Sequence, residues 1–155
     1  MKIYIDACCY SRPFDDADHM AQPRVTAEVA AVMNAVDICG VEGFSVIGSR
    51  AVSFEIGKIQ KVDKLLKTMS LYFTAMTVEA AITDEVEARV AELMTQGVKE
   101  LDAYHVALAE SAGADYLLTT DDRLEVAALR LGVKTKVINP INFLQEYTVW
   151  LQRSM

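Results

Sequence analysis

Short apolar runs alternate with longer amphipathic stretches along the whole chain. Ile3-Tyr4-Ile5 is β-branched or aromatic throughout, the pattern of a strand covered on both faces of a parallel sheet. Asp6 ends that run. The stretch from Cys8 to Pro23 holds Arg12-Pro13, Asp15, Asp16, Asp18 and His19, and reads as a polar loop. A first helix is predicted from Thr26, as its cap, to about Ile38, with Gly40 and Gly43 closing it. Phe44 to Ile47 reads as a second strand, and Gly48-Ser49 turns into a second helix carrying Ser53-Phe54-Glu55-Ile56. Leu65 to Phe73 is helical in pattern, and Thr74 to Val78 reads as a third strand. Thr83-Asp84-Glu85 opens an amphipathic helix with Val86, Val90, Leu93 and Met94 inward and acids in its first turn, as the helix dipole favours. Gln96-Gly97 closes it.

A further helix carries Leu101 to Ala109, so Asp102 begins an otherwise buried segment. Ala114 to Thr119 is the fourth strand and ends in Thr119-Thr120-Asp121-Asp122. Arg123 to Leu131 is helical, Thr135 to Ile138 is the fifth strand, and Asn139-Pro140 opens a last helix to about Leu151. Strands alternating with helices predict a parallel α/β sheet with helices on both faces. No repeat or linker divides the chain, and 155 residues form one domain with a sizeable core.

Composition narrows the class. Apolar residues make up 52 %, and seven glycines and three prolines give no sign of disorder. No stretch approaches the ~20 apolar residues of a membrane span. Met1-Lys2-Ile3 runs straight into a strand without an apolar leader, so a cytoplasmic protein with no membrane partner is expected. Cys8, Cys9 and Cys39 are an odd set without metal-ligand spacing, which fits a reducing compartment. A net charge of −7 argues against nucleic acid unless several acids share metal ions. Lys58, Lys61, Lys64 and Lys67 drift around a helix and read as a solvated face.

Four acids come from separate elements. Asp6 and Asp121 end strands, whereas Glu55 and Asp102 lie near helix starts. In a doubly wound sheet those ends share one edge. Converging carboxylates raise each other's pKa values, and oxygen-preferring Mg²⁺ or Mn²⁺ relieves them. Phosphodiester hydrolysis is the chemistry such a site supports.

These pieces, Ile3-Tyr4-Ile5-Asp6, Glu55 within Ser53 to Ile56, Leu101 to Ala109, and Leu117 to Leu124, resemble the PIN domain, the nuclease fold of VapC-type toxins. Val137-Ile138-Asn139-Pro140 and its apolar helix fit the same family, so the resemblance spans the chain. It implies a single PIN-like domain over residues 1–155: a three-layer α/β/α sandwich with a central, mainly parallel five-stranded sheet. It also implies an Mg²⁺- or Mn²⁺-dependent endoribonuclease acting on single-stranded or structured RNA, a homodimer, and an antitoxin partner. Asp6, Glu55, Asp102 and Asp121 would be the catalytic, metal-binding acids. Thr119 or Thr120 would be the supporting hydroxyl, and Asp122 could replace or assist Asp121.

The Cys8 to Asp16 loop departs from the commonest toxin pattern, in which a hydroxyl or Asn follows the first Asp closely. Tyr10, Arg12 and Phe14 could hold an unstacked base and a phosphate, or could simply pack the loop. His105, three residues after Asp102, could orient water or the scissile phosphate, or could support the acids through hydrogen bonds. His19, Glu79 and Glu110 read as surface charges, and Tyr147 and Trp150 as core or dimer contacts. The other class of function is a catalytically idle PIN-fold domain that binds protein or RNA. A phosphatase or receiver fits less well, because the position two after Asp6 is Cys8 and the first strand supplies only one acid.

Overall fold

The computed structural model describes residues 1–155. Five parallel strands, β1 (Lys2–Ile5), β2 (Ser45–Ser49), β3 (Val78–Ala80), β4 (Tyr116–Leu118) and β5 (Lys136–Ile138), stand in the order β3-β2-β1-β4-β5. The apolar runs are strands for the expected reason. Ile3, Tyr4 and Ile5 are at most 1 % exposed between Ile47 on one side and Leu117 on the other. The switch in strand order falls at β1, which places the crevice beyond its carboxyl end.

Helices cover the sheet. The segment after β1 holds α1 (Ala7–Ser11), a 3-10 turn (Arg12–Phe14), α2 (Ala17–Met20) and α3 (Pro23–Glu42). Next come α4 (Arg50–Gly57), α5 (Val62–Ala75), α6 (Asp84–Thr95), α7 (Glu100–Ser111), α8 (Asp122–Leu131) and α9 (Pro140–Ser154). α3 lies along α9 and α6 along α7. No helix is long and apolar enough to cross a membrane.

Several boundaries differ from expectation. The polar loop after Asp6 is largely helical, because Cys9 and Tyr10 bury fully against the core and Asp16 caps α2 by accepting the His19 N–H. α3 starts at Pro23, whose fixed φ suits a first helical position. Thr26 is therefore inside α3, and its hydroxyl donates back to the Met20 carbonyl at 2.8 Å. The same helix runs through Gly40, and only Gly43, at φ +66°, ends it.

α5 continues to Ala75, so the third strand begins at Val78 rather than Thr74. Tyr72 explains the extension. From the last turns of α5, its hydroxyl accepts the Ser49 N–H at 3.0 Å and donates to the Ser49 carbonyl at 3.2 Å. Gly48 makes room, since a Cβ there would lie 2.5 Å from that hydroxyl.

Candidate active site

Asp6 leaves β1 at the carboxyl edge of the sheet, 3 % exposed, its N–H still bonded to the Leu118 carbonyl. The Thr119 hydroxyl, just past β4, donates to Asp6 Oδ2 at 3.0 Å and accepts the Asp121 N–H at 3.1 Å. One side chain therefore ties two of the predicted acids together. The Cys8 thiol lies 3.5 Å from the same hydroxyl, and its sulfur accepts the Thr120 N–H at 3.4 Å. Thr119 is the hydroxyl that contacts the acids, whereas Thr120 reaches Cys8 through its backbone.

Opposite Asp6 stands His105, fully buried on α7. Its Nε2 is 2.6 Å from Glu55 on α4 and 3.2 Å from Asp6 Oδ1. Ligand atoms of Asp6, Glu55 and His105 all lie within 4.8 Å of one another. Asp102, one turn before His105, stands outside that tight group, yet burial and then the charges of Asp6 and Asp121 push its carboxyl up to about 6. Glu55 adds to the rise, and His105 opposes it. Asp6, Asp121 and Glu55 thus all act on Asp102 electrostatically at one edge of the sheet. Burial disfavours the charged form of His105, but Asp6 and the hydrogen bond to Glu55 outweigh it and raise the imidazole to about 9.

A buried hydroxyl chain stands behind the imidazole. Tyr4 Oη is 2.8 Å from His105 Nδ1 and 2.7 Å from Ser49 Oγ, which caps α4 by accepting the Val52 N–H. His105 is thereby fixed from both nitrogens. The sequence gives no sign of this link, because Tyr4 looks like any strand aromatic.

The donor set fits a divalent cation. Asp6 Oδ1 is buried with no hydrogen bond, and its one charged partner is the His105 imidazole at 3.2 Å, which leaves the oxygen lone pairs that a bound cation could take up. Asp6 and Glu55 offer oxygen and His105 nitrogen, with Asp102 and Asp121 beside them.

Other predicted residues lie apart. Asp122 turns outward, 62 % exposed, and accepts both terminal nitrogens of Arg24 at 2.6–2.7 Å. Tyr10 offers no face to a base, since it is wholly buried edge-on against Tyr72. Arg12 is engaged by Asp15 at 3.2 Å and Glu28 at 3.4 Å, and Phe14 is half-buried in the same turn. Glu110 is not a free surface charge, because it accepts Arg89 at 2.9 and 3.2 Å. Tyr147 is buried and donates to Glu42, with Trp150 stacked on it at the surface.

Glu28 went unread. It is 1 % exposed and accepts Asn139 Nδ2 at 2.6 Å. Its spacing from Val25, Val32 and Ala35 places it on the buried stripe of α3, a signal available in the pattern. A concavity of about 770 Å³ between α8, β5 and α9 holds none of these acids.

Comparison with known proteins agrees with this geometry. The sequence profile of the PIN domain matches residues 3–129. Among solved structures, Rickettsia felis VapBC2 bound to a promoter DNA fragment matches with a TM-score of 0.57 and 12 % identity, over 90 % of this chain and 98 % of that one. Mycobacterium tuberculosis VapC20, a toxin that cleaves the sarcin-ricin loop, matches with a TM-score of 0.55 and 14 % identity, over 81 % and 94 %. VapBC-1 of nontypeable Haemophilus influenzae gives 0.54 and 12 %, over 90 % and 98 %. No curated protein sequence matches. With the profile spanning most of the chain and the acids gathered at the carboxyl edge of an all-parallel sheet, this protein belongs to the PIN domain family.

Proposed function

We propose that the protein is a metal-dependent endoribonuclease of the cytoplasm, the toxin of a toxin–antitoxin pair. The observation that carries the reading is the approach of ligand atoms of Asp6, Glu55 and His105 to within 4.8 Å of one another, with Asp102 and Asp121 beside them. Asp6, Glu55 and His105 would hold Mg²⁺ or Mn²⁺, with Asp102 and Asp121 completing its surroundings. Bound there, the ion supplies Lewis-acid stabilisation of the charge that builds on a scissile phosphate. Thr119 orients Asp6, and the Tyr4–His105 bond fixes the imidazole against Glu55. Asp121 serves as the fourth acid, and Asp122 stays paired with Arg24. All four acids are present, which favours activity over an idle binding module.

Two of the structural relatives are VapBC complexes, and a homodimer with an antitoxin is the assembly expected here. An antitoxin Arg or Lys reaching the acids would replace the cation's charge. In the deciding experiment, Asp6→Asn and Asp102→Asn each abolish Mn²⁺-dependent cleavage of single-stranded RNA with circular dichroism unchanged. Wild-type cleavage by either folded variant defeats the assignment.

A further inference from the structure

Arg50, Phe54 and Lys58 follow one another at intervals of four and so form a single stripe on α4. They line a groove of about 360 Å³ whose other wall is Leu101 and Tyr104 at the start of α7, with Ile82 beside them. That volume lies within the ~300–1,000 Å³ of small-ligand sites. Phe54 is 62 % exposed, and the Lys58 ammonium sits over its ring at 4.8 Å. Neither Arg50 nor Lys58 is paired with a carboxylate, whereas Arg12, Arg24, Lys64 and Arg89 all are. Glu100, the one acid on the rim, belongs to the α7 wall, so the α4 side is where an anion is welcome.

Both helices that wall the groove also carry acids of the site. Glu55 directly follows Phe54 on α4, and Asp102 directly follows Leu101 on α7. We propose that this groove is a nucleobase subsite for the RNA strand that the acids cleave: a base stacks on Phe54, and its phosphate rests against Arg50 and Lys58. The proposal rests on the nuclease reading and adds to it the strand's path and form. Only an unpaired nucleotide can present a bare base face to an aromatic ring. Electrostatics alone would draw RNA poorly to a chain of net charge −7, and stacking in an apolar groove with two free cations supplies what the formal charge withholds.

Fluorescence anisotropy with a labelled oligouridylate tests this, in an Asp102→Asn background with Mn²⁺ so that the strand stays whole. Phe54→Ala weakens binding about tenfold, within the range for one base–aromatic stack, and Phe54→Trp restores it. Phe54→Leu, equally apolar but without a π face, does not. Arg50→Ala lowers the slope of log affinity against log salt by about 0.7, the value for one contact with a single-stranded phosphate. Phe54 is exposed, and unchanged melting confirms that each variant folds.

Binding by Phe54→Ala equal to that of its parent overturns the subsite. So does a fall in solution mass on Phe54→Ala, which would make the groove an interface between two copies of this chain. If Asp102→Asn abolishes cleavage while Phe54→Ala binds normally, the subsite falls and the nuclease stands. If wild type cleaves no RNA while the Phe54 series behaves as described, the nuclease reading falls and the groove remains an RNA-binding site.

Discussion

Asp15, Glu28 and Asp6 have side chains 7 %, 1 % and 5 % exposed, so all three carboxylates are enclosed. Their surroundings differ. Asp15 faces Arg12, Lys64 at 2.8 Å and His19 at 3.0 Å, and Glu28 faces Arg12, Arg24 and the Asn139 amide. At Asp6 the neighbours are mostly other acids, with one imidazole among them and one oxygen left without a bond. The first group is complete as it stands and fastens the segment after β1 to α3 and α5. The second sets carboxylates against one another, with the His105 imidazole as the one cationic partner beside Asp6 and Glu55. Burial alone does not distinguish a structural carboxylate from a functional one; what faces it does.

The largest effect that sharpens this contrast is on stability without metal. Glu28→Ala removes one side of a buried ionic cluster, leaving the Asn139 amide without its acceptor and Arg12 with Asp15 alone, a loss of about 3–5 kcal/mol. At roughly 2–4 °C per kcal/mol for a domain of this size, its melting temperature falls by about 6–20 °C in chelator. Asp102→Asn, by contrast, melts at or above wild type in chelator, because it removes repulsion. A drop for Asp102→Asn comparable to that of Glu28→Ala would make Asp102 structural and erase the distinction.

Next in size is the response to metal. A cation that binds only the folded state adds about 2.7 kcal/mol at a hundredfold excess over Kd, or about 5–10 °C in wild type with Mn²⁺. Glu28→Ala keeps that rise, and Asp102→Asn loses most of it. A thermal-shift series reads both.

The pH dependence should separate the clusters by sign. Asp102 is raised from 3.8 to about 6 on folding, so the folded state holds its proton more tightly and stability falls as pH climbs from about 4 to 6. In chelator, the melting advantage of Asp102→Asn over wild type is therefore full above pH 6 and closes toward pH 4. Burial pulls Asp15 upward, but Lys64 and Arg12 outweigh it and hold its carboxyl below the usual range. Its contribution is present above about pH 4 and lost on further acidification, so Asp15→Asn diverges from wild type in the opposite direction. Parallel pH profiles for the two variants would break the comparison. The smallest effect belongs to Asp122→Asn: an exposed ion pair is worth under about 1 kcal/mol, and RNA cleavage is unchanged.

Much of this was readable in the chain. The strands other than the β3 edge hold buried apolar residues, and Asp6 and Asp121 follow two of them. Asp102 opens α7, whereas Glu55 lies in the last turn of α4 and not near its start. Residues whose role depends on partners distant in sequence were harder. Tyr4 and His105 are 101 positions apart, and nothing local marks their hydrogen bond. Tyr10 reads as an aromatic in a polar loop, but it lies within α1 with its ring wholly buried edge-on against Tyr72 of α5. Nothing local in the doubled Asp121-Asp122 marks the second carboxylate as the partner of Arg24 on α3.

The strand order has a consequence for local opening. β1 is paired on both sides and buried from Ile3 to Ile5, whereas β3 is a three-residue edge with Val78 and Glu79 exposed. Amide exchange should therefore be graded across the sheet, slowest at Ile3 to Asp6 and fastest at Val78 to Ala80. Asp6 thus hangs from the last part of the molecule to fray, and the acids keep their arrangement through the edge fluctuations that a small domain undergoes continually.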